Sequence, residues 1–212
     1  MVRITRIETV RSMVYLFLDS GEKTRITRKE YLETQWTEGV DYSDDLFFRT
    51  IRLFQYPRAL NQAVSMLSRR PCSTEEIRRR LQQYDYLSEV TDLVLYKLKK
   101  EKLLDDKTFC EQWIQYRTGQ KYGPARILRE LKFKGIPEDM AIEALSMLDM
   151  DVQEDHSLSL AVKAWLHIRK DDDLRRSRQK VILSLVRKGY GWDQAKAACS
   201  EAEKQLDIKT TR

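Results

Sequence analysis

The sequence predicts a mainly all-α protein of three tandem three-helix repeats in an elongated curved array, with a small β-rich N-terminal extension. Three observations predict it. Apolar residues recur at helical spacing from Pro57 almost to the end of the 212-residue chain. Ile77 and Leu81 superpose on Ile127 and Leu131 at an offset of 50 residues, and those on Val181 and Leu185 at a further 54. Asp85-Tyr86, Gly135-Ile136 and Gly189-Tyr190 then share one register. Each pairs a turn residue with an apolar or aromatic one, as expected where a helix stops in a left-handed cap and the chain folds back.

The elements follow in order. Arg3 to Val10 alternates imperfectly, Met13 to Leu18 is an apolar β-rich run, and Asp19 to Glu22 supplies a turn before Lys23 to Ile26. A two- or three-stranded antiparallel sheet is expected there. Thr27-x-x-Glu30 is a capping box opening a short helix to about Trp36, and Ser43-Asp44-Asp45 starts another with Leu46, Phe47, Thr50, Ile51 and Phe54 on one side. Pro57 suits a first helical position and opens the first repeat. Ser73 to Glu76 caps its second helix, and Val90, Leu93, Val94 and Leu98 mark its third. The second repeat carries Phe109, Trp113 and Ile114, restarts at Pro124 with Ile127, Leu128 and Leu131, and restarts again at Pro137. The expected boundaries are an N-terminal region at 1–56, repeats at 57–104, 105–150 and 155–205, and a frayed tail at 206–212. Nine helices make up the repeats.

Composition narrows the function classes. Charged residues make up 34% of the chain and hydrophobic ones 42%, a balance that suits units of roughly 50 residues, which bury too little surface alone and must share interfaces. The formal net charge of +6 favours an acidic partner, nucleic acid or protein. Cys72, Cys110 and Cys199 form no Cys-x-x-Cys pair, so no disulfide framework or zinc site is indicated. No signal peptide or membrane-length apolar run is visible, and the expectation is a soluble cytoplasmic protein, a monomer without membrane attachment.

No catalytic constellation, metal site or cofactor is expected. His156 and His167 are not spaced as ligands on one helical turn, and the seven glycines form no phosphate-binding loop. Asp105-Asp106 and Asp171-Asp172-Asp173 stand just before helices, where capping accounts for them. Trp113 and Trp165 recur at equivalent first-helix positions, which argues core packing. What remains is a distribution of cations on or beside the middle helix of each repeat: Arg78, Arg79 and Arg80; Arg126, Arg129, Lys132 and Lys134; Arg176, Lys180, Arg187 and Lys188. Around apolar positions such as Ile127 and Leu131 these must point sideways or outward, and stacked repeats would align them into a stripe. Recurring weak contacts of this kind suit a repeating polymer, because linked sites gain avidity.

Leu103 to Arg117 (Leu-Leu-Asp-Asp-Lys-Thr-Phe-Cys-Glu-Gln-Trp-Ile-Gln-Tyr-Arg), continuing through Tyr122-Gly123-Pro124-Ala125-Arg126 to Ile136, closely resembles the central signature of the RecX family. Ala59 to Ala63, Leu67 to Arg70 and Ser73 to Leu81 are similar to its first repeat, and Val181 to Tyr190 to its last. Cys110, where a small apolar residue is usual, and Lys102-Leu103 are departures outside the framework. The resemblance implies a non-enzymatic regulator. Such a protein binds the RecA filament on single-stranded DNA and mainly inhibits its ATPase, strand exchange and growth, in DNA repair and homologous recombination. The basic residues are the expected contacts, with non-specific single-stranded DNA left open as a second partner. A DNA-binding protein acting without recombinase and a generic helical scaffold are the alternatives.

Overall fold

The computed structural model describes residues 1–168 and 173–206. It forms two compact units, Met1–Asp106 and Lys107–Arg212.

In the first unit, strands β1 (Val2–Val10), β2 (Met13–Leu18), β3 (Lys23–Thr27) and β4 (Asp41–Tyr42) form an antiparallel sheet in the order β3-β2-β1-β4. The three expected strands are present. The two-residue β4, which pairs Tyr42 with Val2, was not foreseen. Between β3 and β4 lies α1 (Arg28–Thr34), opened by the Thr27–Glu30 capping box read from the sequence.

Helix α2 (Asp44–Leu67) starts behind Ser43 as expected, but it does not stop for a new helix at Pro57. It runs through the proline, so the expected first helix of repeat one is the second half of a longer one. Pro57 is exposed and has no N–H to offer the Leu53 carbonyl, on a side of the helix where water can reach. Leu46, expected on the inner face, is exposed, while Phe47 and Ile51 are fully buried. Helices α3 (Thr74–Gln83), capped by Ser73 and Glu76, and α4 (Ser88–Lys100) complete the repeat.

The inner face of the sheet (Val2, Ile4, Val14, Leu16, Leu18 and Ile26) belongs to one core with Ile51, Ile77, Leu81, Val94 and Leu98 of the helices. Gln55 fastens the two. Its buried amide donates to Thr24 Oγ1 at 2.6 Å and to the Arg25 carbonyl at 2.7 Å, and its carbonyl accepts from the Leu87 amide at 3.0 Å. The β-rich extension therefore covers the apolar side of the first repeat rather than standing apart from it.

The second unit holds α5 (Asp106–Gly119), α6 (Pro124–Phe133) and α7 (Glu138–Ser146), then α8 (Met150–Leu166), α9 (Leu174–Lys188) and α10 (Trp192–Gln205). Each triplet has its own core. Phe109, Cys110, Ile114, Ile127, Leu131, Ile136 and Ala141 form one; Ala161, Trp165, Val181, Leu185, Tyr190 and the α10 alanines form the other. Asp173 caps α9 by accepting from the Arg175 amide at 3.3 Å, as expected of an acidic residue before a helix. Asp171 and Asp172, like the tail from residue 207, lie outside the described residues.

The shared turn of the three repeats is observed atom for atom. Asp85, Gly135 and Gly189 have φ of +52°, +77° and +99°. The following amides of Tyr86, Ile136 and Tyr190 donate back to the carbonyls of Leu81, Leu131 and Leu185 at 3.4, 3.0 and 3.2 Å. This is the closing bond of a Schellman cap, with the apolar residue after the turn folded into the core.

Candidate functional site

The predicted cations do not share one environment. In the first unit Arg78 pairs with Asp92 at 2.5 Å, Arg79 with Glu75 at 2.8 Å, and Arg80 donates to the Tyr84 hydroxyl at 2.9 Å while lying over its ring. All three are engaged within their own repeat.

The second unit gathers its cations around aromatic rings. Trp113 in the middle of α5, the flank and end of α6 and the last turn of α9 border an open hollow of about 470 Å³ lined by Trp113, Arg126, Arg129, Glu130, Phe133, Lys134 and Arg187. Helical spacing explains the arrangement. Ile127 and Leu131 point into the core, which turns Arg126, Arg129 and Glu130 along the flank and leaves Phe133, at the helix end, 78% exposed. Glu130 is the one carboxylate among the lining residues, and it is already engaged. It accepts from Arg117 Nε at 2.6 Å and from a terminal nitrogen of the same guanidinium, and from Arg126 Nε at 3.1 Å. Burial works to raise the Glu130 pKa, but the bonds from Arg117 and then Arg126 outweigh it and hold the carboxyl below its ordinary range. Arg117 is raised in turn, chiefly by that hydrogen bond.

The aromatic rings carry their own cations. Tyr122 is ringed by Arg117, Arg126 and Lys188 at 4.0, 4.2 and 4.4 Å from its centroid, and Lys134 sits 4.1 Å over Trp113. Neither Arg129 nor Arg187 has a carboxylate partner among the described residues; Arg129 makes only a long bond to the Ala125 carbonyl, at 3.4 Å. Lys132 lies outside the hollow, paired with Glu138 at 2.8 Å, and Arg176 and Lys180 are exposed further back along α9. Arg126, Arg129, Lys134, Arg187 and Lys188 are thus brought together, and Lys132, Arg176 and Lys180 are not.

Sequence reasoning misses Arg117, Tyr122 and Phe133; Trp113, expected in core packing, packs against the core of its repeat and also lines the hollow. Trp165 is indeed buried in its repeat, but Trp113 is only half-buried and presents part of its ring to the hollow. Alternation of aromatic and basic residues between Trp113 and Lys134 was the available signal. A concave surface with unpaired guanidinium groups, exposed aromatic area and a neutralised carboxylate can bind an extended anion, through charge-assisted hydrogen bonds and ring contacts.

No helix among the described residues is long and apolar enough to cross a membrane, and no cluster of three or more potential metal ligands is found among them. Residues 59–98 match the family model described as RecX, first three-helix domain, and residues 105–145 that described as RecX, second three-helix domain. The chain is 30% identical over 193 residues to the regulatory protein RecX of Enterococcus faecalis, across 90% of this chain and 72% of the relative. It is 26% identical over 208 residues to that of Streptococcus sanguinis, across 97% and 79%. A crystal structure of regulatory protein RecX shares the fold with a TM-score of 0.62 at 21% identity, covering 99% of this chain and all (100%) of the other. That of RecX from Lactobacillus salivarius does so with 0.62 at 24%, covering 73% and 97%. With two three-helix signatures in order and a 30% identical relative matched over most of both lengths, the chain belongs to the RecX family of regulatory proteins.

Proposed function

We propose that this protein regulates RecA: it binds the RecA filament on single-stranded DNA and mainly inhibits its ATPase, strand exchange and filament growth, as a cytoplasmic monomer with no chemistry of its own. Family membership supports the regulatory role. The observation that carries the binding reading is the hollow on α6 and α9, lined by four cations with Lys188 beside them over the Tyr122 ring, where the single lining carboxylate is already paired. Of the predicted contacts, Arg126, Arg129, Lys134, Arg187 and Lys188 form its centre. Arg78, Arg79, Arg80, Lys132, Arg176 and Lys180 are assigned to further contacts, where each must exchange a local partner or solvent for the filament. The repeat boundaries at 57–104, 105–150 and 155–205 are retained in this reading as the units of binding. Reversing Arg126, Arg129 and Lys132 to Glu tests it: a folded variant should lose inhibition of the RecA ATPase, and unchanged inhibition removes these residues from the mechanism.

A second reading, direct binding of single-stranded DNA without recombinase, draws on Phe133. An exposed ring flanked by Arg129 and Lys134 is suited to stack a base while the cations hold phosphates. Gel shifts with single- and double-stranded DNA over a salt series discriminate, because steep salt-dependent binding in the absence of RecA would favour it.

A further inference from the structure

The hollow draws its cations from two repeats, and beside the Lys121–Ser159 side-chain bond at 2.6 Å those repeats meet through backbone. Gly123 caps the start of α6 and Gly189 caps the end of α9. The Gly123 amide donates to the Lys188 carbonyl at 2.9 Å and the Ala125 amide to the Gly189 carbonyl at 3.1 Å. Amides that a helix start leaves unpaired thereby meet carbonyls that a helix end leaves unpaired, and the positive end of one macrodipole faces the negative end of the other. The buried Tyr190 hydroxyl adds a bond to the Lys121 carbonyl at 3.1 Å.

This approach admits no side chain at either glycine. A Cβ on Gly123 would lie 2.6 Å from the Tyr190 amide nitrogen, with the Gly189 carbonyl group closer still. One on Gly189 would lie 2.6 Å from the Arg126 amide nitrogen and 2.9 Å from the Gly123 carbonyl oxygen, and Gly189 also has the positive φ of its cap. The atoms in the way are backbone or the root of a side chain, so nothing can swing aside. Arg187 and Lys188 immediately precede Gly189, and Arg126 follows Gly123 by three residues. The same seam therefore sets where Arg187 enters the hollow and where Lys188 meets the Tyr122 ring beside Arg117 and Arg126.

We propose that Gly123 and Gly189 are positioning residues for partner binding: their seam turns the cations of the second and third repeats into one composite anion site, instead of two sites on independent repeats. This rests on the binding role proposed above for that face. Its signature is coupling. If the seam acts by delivering Arg187, removing the Arg187 charge must matter only while the seam is intact.

The test is a double-mutant cycle on the full chain, read as affinity for RecA filaments assembled on oligo-dT. Arg187→Gln alone should weaken binding about tenfold, the size of one charge-assisted contact. Gly123→Ala should cost at least as much, and the double variant no more than about twofold beyond Gly123→Ala, since coupled sites are non-additive. Full multiplicative loss overturns the proposal and leaves the seam a structural joint only, as does wild-type affinity of Gly123→Ala. Arg129→Glu separates the two claims, because normal binding by that variant sinks the face itself, whatever the seam does. If alanine at 123 prevents folding, the cycle is run with Tyr190→Phe, which keeps the ring and removes only the bond to the Lys121 carbonyl. The same coupling is expected there, and additivity again overturns the proposal.

Discussion

Arg117 closes on Glu130 through two parallel hydrogen bonds, from Nε and from a terminal nitrogen, with both side chains largely withdrawn from solvent. The pair ties α5 to α6 beneath the hollow, and it consumes the one carboxylate that would otherwise repel an anionic partner there. Stability and binding consequently respond to it in different ways.

Glu130→Gln should lower stability by about 2 kcal/mol, the range of a charged hydrogen bond lost with its partner left in place, measured by urea unfolding at neutral pH. Because the folded-state pKa of Glu130 lies below its unfolded value, its contribution is complete above the ordinary glutamate range and is lost as pH falls through the depressed value. Wild type and variant should therefore converge in stability on acidification. A gap that does not shrink at any acidic pH at which the protein stays folded would contradict the assignment.

Phe133→Ala should leave the unfolding free energy unchanged within about 0.5 kcal/mol, since an exposed side chain contributes little to the core. If the ring is a partner contact, affinity for the filament should fall by about 1 kcal/mol or more, as aromatic anchors do. Isothermal titration and thermal unfolding on one preparation check both.

Gln55→Leu should destabilise the first unit by about 2 kcal/mol or more. It leaves the Leu87 amide buried without its acceptor and removes both donations to β3. Hydrogen exchange should show β3 and the start of α4 losing protection together while the second unit is unaffected.

Glycines in different backbone states should answer alanine with opposite signs. Gly135 has φ of +77° in the repeat turn, so Gly135→Ala should cost about 1 kcal/mol. Gly119 ends α5 with open space around it and no positive φ, so Gly119→Ala should be neutral or stabilising by up to about 1 kcal/mol. Chemical denaturation of the two variants is sufficient.

Much of this fold is legible in sequence because its signals are local. The turn after each middle helix combines a residue that tolerates positive φ with an apolar one three or more residues past the core leucine, and chain proximity alone makes that cap. Capping boxes at Thr27 and Ser73 are local in the same way. Pro57 misleads because the cost of a proline inside a helix depends on whether the freed carbonyl can reach solvent, which is a property of the packed structure. Trp113 packs against the core of its repeat as its spacing suggests, but spacing does not show that it also lines the hollow. The cations of α6 and α9 were found from charge and spacing, yet their convergence depends on Gly123 touching Gly189, residues 66 apart whose turn chemistry looks ordinary until the backbones meet.

Regulation of the filament, as proposed, requires that the face built by α6 and α9 is where the partner is held. RecA ATPase on single-stranded DNA, titrated with wild type and with the Arg129→Glu, Arg187→Glu variant, tests this most directly, because neither arginine has a carboxylate partner among the described residues to lose. The expected result is an unchanged thermal melt with inhibition reduced at least about tenfold in the concentration required, two charged contacts having become repulsive. Inhibition at wild-type concentrations by the folded double variant would contradict it.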